Sequence, residues 1–211
     1  MSTHSPSSRQ LRPLQHVQDM QHVQRGFSLM IVLIILTVVS MLGLAGIRIA
    51  AMSERGARND RDQQIAWQAA EAALIDAELD LYGPGLSTRR ALFGATPDLG
   101  SFVEGCGTTG FGRGLCSLVT SGKPAWLTVD FSDDSDTAPT AAFGQFTART
   151  FQAGGPGVQP EKPPRYVIEV MRDPSDRDLA TRRPRYIYRI TAMGFGPRAD
   201  IQAVVQMLYR I

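Results

Sequence analysis

The chain has 211 residues, a formal net charge of +2, 43% hydrophobic residues, two cysteines and three histidines. Nearly balanced charge argues against general nucleic-acid binding by bulk electrostatics. All three histidines (His4, His16, His22) lie in the first 22 residues, so if that segment is removed no Ser-His-Asp or Cys-His arrangement can form.

Residues 1–26 are polar, rich in Ser, Gln and His, and show no periodic apolar pattern, so they are read as outside any folded unit. Their Arg9, Arg12 and Arg25 stand against Asp19; without them 19 basic and 19 acidic side chains remain. From Phe27 to Ile47 the chain is uncharged and mostly apolar, bounded by Arg25 and Arg48. As a helix this run is about 30 Å long, the thickness of a bilayer's hydrocarbon core. It is apolar all round, unlike the amphipathic core helix of a small domain. An ordinary secretory signal has a shorter apolar core followed by a cleavage site; here Arg25-Gly26 precedes the run. Basic residues lie on both sides (Arg48, Arg55, Arg58 and Arg61 follow), so their count does not fix orientation.

R-G-F directly before such a run resembles the type IV pilin signal. The resemblance implies a leader 1–26, cleavage by a prepilin peptidase between Gly26 and Phe27, and N-methylation of Phe27. One departure is Ile31, where major pilins usually carry a glutamate. Either the subfamily dispenses with that carboxylate, or the subunit sits at the top of a filament, where no neighbouring amine needs a mate.

The chain continues as helix from Met52 to Tyr82. Ala66, Ala70, Ala73, Ala77 and Leu81 recur at three- and four-residue steps, Trp67 and Leu74 widen the stripe, and Asp62, Gln68, Glu71, Glu78 and Asp80 are read as polar positions around it. Small alanines admit a close neighbour. Gly83-Pro84-Gly85 ends the helix, giving a nearly continuous element of about 55 residues and about 80 Å, with Gly43, Gly46 and Gly56 as candidate weak points. The segment R-N-D-R-D-Q-Q-I-A-W-Q-A-A-E-A-A-L is similar to one in the PilX family of minor pilins.

Residues 83–160 are rich in glycine and proline. Cys106 and Cys116, in C-G-T-T-G-F-G-R-G-L-C, read as a disulfide in an oxidising compartment; a zinc site would need four ligands. Closing so short a loop stabilises the fold by roughly 2–3 kcal/mol on the chain-entropy model. G-x-G-x-x-G at 105–110 has no strand before it and no helix after it and is rejected as a nucleotide site. Residues 125–131 read as a strand. Asp130, Asp133, Asp134 and Asp136 follow in a loop that lacks an EF-hand's glycine and closing glutamate; a solvated loop is favoured over a calcium cup. A-G-G-P-G-V-Q-P-E-K-P-P is a further loop.

The end of the chain alternates. Strands are expected over 165–171, 186–193 and 201–209, with a turn at 194–197; in the last, Ile201, Ala203, Val205, Met207 and Tyr209 face one way and Gln202 and Gln206 the other. This predicts a half-buried antiparallel sheet with one face against the helix. P-R-Y-V-I-E-V and Y-R-I-T-A-M-G-F-G again resemble PilX-family sequences. From residue 161 onward ten basic residues stand against six acids. Arg182, Arg183 and Arg185 cluster between strands without an aromatic stacking platform, which favours a solvated loop or a contact with an acidic neighbour over DNA binding.

The expected fold is therefore α+β and type IV pilin-like: leader 1–26, transmembrane half-helix 27–48, amphipathic half 49–82, and a periplasmic domain 83–211 with a C-terminal antiparallel sheet. The resemblance implies a non-enzymatic minor pilin, without cofactor or metal, held in the bacterial inner membrane and later built into the filament. Implied partners are other minor pilins (PilV-, PilW-, FimU- and PilE-like), the major pilin, the prepilin peptidase and a PilY-type tip adhesin, with roles in assembly, adhesion and twitching motility. Two alternatives stand beside it: a minor pseudopilin of a type II secretion system, and a single-span membrane-anchored periplasmic enzyme or sensor.

Overall fold

The computed structural model describes residues 19–83, 89–94, 96–175 and 184–210, with side chains from Phe27 onward. Two compact units meet at Gly56–Ala57.

The described part of the first unit is helix. Helix α1 spans Asp19–Tyr82, 64 residues, so helix begins inside the segment expected to lie outside any folded unit; residues 19–26 contain no proline, and nothing there breaks the ladder. The expected weak points Gly43, Gly46 and Gly56 are all helical. Within the apolar run the hydroxyls are satisfied internally: Thr37 Oγ1 donates to Ile34 O at 2.7 Å and Ser40 Oγ to Leu36 O at 2.7 Å. A helix closes its own backbone bonds, and these two close the side chains as well.

In the second unit α1 lies on a sheet. Its strands are β1 Leu115–Cys116, β2 Ala141–Ala142, β3 Arg165–Arg172, β4 Tyr186–Phe195 and β5 Gln202–Arg210. Their order is β1-β3-β4-β5, with β2 also pairing β3. The three long strands are antiparallel, with Ile168 opposite Ile190 and Ala192 opposite Val205. The sheet is mixed, because β1 joins β3 in parallel. The bounds of β3 and β5 shift by a single residue from expectation, whereas β4 runs on through Gly194 and Phe195, so the turn begins at Gly196. Along β5, Ala203 and Val205 are buried and Gln202, Val204 and Gln206 exposed, the period-two pattern of a strand covered on one face.

Strand β3 departs from that pattern. Residues 165–170 are all buried, because both faces of the sheet's centre are covered. Tyr166, Ile168 and Val170, with Tyr188, Ile190 and Ala192 of β4, pack with Ala70, Ala73, Ala77 and Leu81 of α1 and with Phe93, Phe102 and Phe146. Val167 packs on the other side with Cys106, Cys116, Ala125 and Phe131. The expected strand over 125–131 is instead a helical turn, α2 Ala125–Thr128. Pro124 leads into it, and Val129 N closes the turn on Ala125 O at 3.1 Å. One turn brings Ala125 and Phe131 into the same cluster over Val167.

Helix and sheet approach closely at Gly194, where both lack side-chain bulk. A Cβ on Gly194 would stand 2.1 Å from Ala66 O and 2.3 Å from Ala70 N, so only glycine fits there. The alanine stripe and this glycine are two halves of one contact.

Candidate functional site

Two surfaces and one buried cluster carry the chemistry. The first surface is the apolar run of α1. Phe27 is 67% exposed and Ile31 42%, and the large apolar side chains from Leu29 through Ile49 are likewise open. Among the described residues this is one helix long and apolar enough to cross a membrane. Gly26 lies in the helix at the head of this run, next to Phe27.

The packing face of α1 forms as the spacing dictates. Ala66, Ala70, Ala73 and Ala77 are fully buried, and Leu81 nearly so; Leu74 is partly buried against the same cluster. Trp67 departs from the expectation. It lies off that face, 46% exposed, with Nε1 donating to Glu71 Oε1 at 2.7 Å. The tight Ala66–Gly194 contact leaves no room for an indole between helix and sheet. The helix ends at Tyr82, with Gly83 N donating to Leu79 O at 2.8 Å; Pro84 and Gly85 lie outside the described residues.

Asp80, expected on the polar side, is fully buried, as is Asp76. Asp80 takes a fork of bonds from buried Arg89: Nε at 2.9 Å and Nη2 at 2.5 Å to Oδ2, and Nε at 3.1 Å to Oδ1. Tyr166 OH also donates to Asp80 Oδ2, at 2.9 Å. Burial first, then the neighbouring Asp80 charge, pushes the Tyr166 phenol well above its ordinary value, so it stays a donor. The Arg89 guanidinium sits 3.6 Å from the centroid of the Phe146 ring, and its Nη1 donates to the carbonyls of Phe111 at 3.0 Å and Arg113 at 2.5 Å. One buried cation thus ties the end of α1 to the loop before β1. Asp76 serves another turn, accepting from Gly144 N at 2.7 Å and Thr147 Oγ1 at 2.5 Å, with Arg149 Nη1 at 3.5 Å. Burial raises its carboxyl above the ordinary value, against the lowering effect of those donors.

The sequence pattern alone does not predict this network, yet it carries a signal of it. The three-and-four spacing that joins Ala73, Ala77 and Leu81 also passes through Asp76 and Asp80, and a carboxylate on an apolar face demands a buried partner. Arg89 itself has no pattern to mark it. On the far face of the sheet, buried Glu169 forms a two-pronged pair with Arg189, its cross-strand neighbour, at 2.7 and 2.9 Å.

The second surface is the disulfide loop. Cys106 and Cys116 are joined, with Cα atoms 4.1 Å apart. Beside it, the aspartates of the 130–136 loop organise local turns: Asp130 Oδ1 accepts from Ser132 Oγ at 2.6 Å and Ser132 N at 2.8 Å, and Asp133 Oδ1 from Ser135 N at 2.9 Å, bonds that hold both carboxyls below their ordinary value. Among the described residues no group of three or more histidine, cysteine or acidic side chains is placed to hold a metal ion. Of the basic cluster only Arg185 is described; Arg182 and Arg183 lie outside the described residues, as do His4 and His16.

A long N-terminal helix, apolar all round in its first part and packed on a mixed sheet in its last, defines an α+β protein of pilin-like arrangement. Two family models match the sequence: PilX N-terminal over residues 25–74, and type IV pilus assembly protein PilX C-terminal over residues 112–211. The chain belongs to the PilX family of type IV pilus assembly proteins, a family of structural proteins. The second match begins inside the disulfide loop, so the likeness reaches further into the middle of the chain than the strand motifs at its end. The chain has no match among curated proteins or among solved structures.

Proposed function

We propose that the protein is a minor pilin that joins and primes type IV pilus assembly at or near the filament tip, by packing and not by catalysis. The observation that carries this reading is the run from Phe27 to Ile47, helical, uncharged and with its large apolar side chains exposed among the described residues. Such a surface is stable in lipid and equally suited to a bundle of like helices. In this reading residues 1–26 are a leader, prepilin peptidase cuts after Gly26, and Phe27 becomes the methylated N-terminus. Residues 27–48 hold the subunit in the inner membrane, 49–82 pack on the domain, and 83–211 complete that domain in the periplasm, where Cys106–Cys116 is oxidised. Other minor pilins, the major pilin and a PilY-type tip adhesin are its proposed neighbours. Ile31 cannot pair with a neighbour's terminal amine, which suits a subunit with nothing above it.

Replacing Gly26 with leucine tests the reading. The expected outcome is accumulation of the unprocessed chain and loss of the protein from sheared filaments. Normal processing and undiminished piliation in the Gly26→Leu strain would overturn it.

A further inference from the structure

The loop between Cys106 and Cys116 is fixed from several directions, yet it presents a large apolar side chain to solvent. Phe111 at its tip is 57% exposed. Beneath it, Arg89 binds the carbonyls of Phe111 and Arg113. Across it, Gly107 N donates to Leu115 O at 3.0 Å and Gly114 N to Gly107 O at 2.9 Å. The two limbs close so tightly that a Cβ on Gly107 would lie 2.1 Å from Gly112 O. Arg113 adds bonds to Thr108 O, at 3.0 Å, and to Asp136 O. The disulfide ties the ends. Alongside runs the segment holding Leu99 and Val103, 46% and 43% exposed, with Val103 bridged to Cys116.

A rigid loop gives up little conformational freedom on binding, and an exposed aromatic anchor on such a loop is the arrangement that concentrates binding energy. The charge around it selects the partner. Residues 96–136 carry six acids (Asp98, Glu104, Asp130, Asp133, Asp134, Asp136) against two bases (Arg113, Lys123), and with Lys162, whose Nζ donates to Ser132 O, and Arg165 beside the 130–136 turn acids still outnumber bases. The Arg113 bond brings the 133–136 turn beside the loop.

Resting on the reading of the chain as a pilus subunit, we propose that the Cys106–Cys116 loop is a docking knob whose Phe111 enters an apolar pocket, rimmed by lysine or arginine side chains, on another protein of the assembly. Apolar insertion supplies affinity, and the acidic surround steers and orients the basic rim.

The test uses the full chain in living, piliated cells. With p-benzoylphenylalanine at position 111, irradiation should link the chain to another protein through a peptide on a Lys/Arg-bearing surface. Phe111→Ser should reduce recovery of the chain in sheared filaments by about 10-fold or more, while Phe111→Trp keeps it. Val158→Ser, which removes another exposed apolar side chain (51%), should leave recovery unchanged; Cys106–Cys116 oxidation should be intact in all three. Crosslinks only within the chain, to lipid or to an acidic surface would overturn the knob. So would Phe111→Ser recovery at the wild-type level, or a loss shared by Val158→Ser. A wild-type chain that is absent from filaments would instead sink the pilin reading, while the crosslink still judges the knob.

Discussion

At the scale of single residues, the fold depends on charges that sit where charges are costly. Asp80 and Arg89 are both fully buried, and an isolated charge left in such a site is far worse than the pair. Asp80→Ala should therefore cost about 3–5 kcal/mol, read as a lowered denaturation midpoint of the full chain in detergent. The double variant Asp80→Leu/Arg89→Met should cost less than Asp80→Ala alone, since it leaves no lone cation behind. Asp76 gives a pH signature. Its carboxyl is raised in the fold, so its contribution is most favourable below the ordinary carboxylate range and is lost as pH rises through the raised value. Asp173, held down by Ser175 and then by Arg210, acts in the opposite sense: its contribution is present above the ordinary range and lost as pH falls through the lowered value. Asp76→Asn should thus gain on the wild type as pH rises above about 4, whereas the deficit of Asp173→Asn should be complete above about pH 4 and shrink as pH falls below it, both followed by melting temperature. Equal pH profiles for all three proteins would contradict this. These carboxylates mark the limit of what residue type and spacing disclose. Spacing places Asp80 on the apolar stripe, while its residue type points to solvent. The partner that keeps it inside is Arg89, nine positions on, across a turn without periodicity.

At the scale of elements, the legible parts are those where one periodicity holds over many residues. The alanine stripe and the three C-terminal strands are visible in the sequence because burial on one face repeats at fixed intervals. Residues 125–131 mislead because Trp, Val, Thr and Phe favour strands, yet the segment's task is to set Ala125 and Phe131 over Val167, which a single helical turn does. Trp67 misleads because size alone marks it as core, while the helix–sheet approach at Ala66 and Gly194 is too close to admit it. That approach yields a sharp prediction. Gly194→Val drives a side chain into the backbone of α1, and backbone cannot yield as a flexible side chain can. It should destabilise the second unit by about 3 kcal/mol or more, seen as raised protease sensitivity and a lowered melting temperature. Gly43→Ala, where an added Cβ meets nothing within 4 Å, is the matched control and should leave both unchanged.

At the scale of the whole molecule, a chain with an exposed apolar helix and a well-packed mixed domain fits the PilX family of pilus assembly proteins to which it belongs. Its polar groups inside the domain are spent on packing and loop placement: Asp76 on the 144–147 turn, Arg89 on the disulfide loop, Glu169 on its cross-strand arginine. The proposed minor-pilin role makes a definite demand on the N-terminus. The most direct test is intact-mass and N-terminal analysis of the native protein from membranes and sheared pili. The account predicts a chain that begins at N-methylated Phe27, with Cys106 and Cys116 oxidised. A native chain still beginning at Met1, with reduced thiols and no presence in filaments, would contradict it.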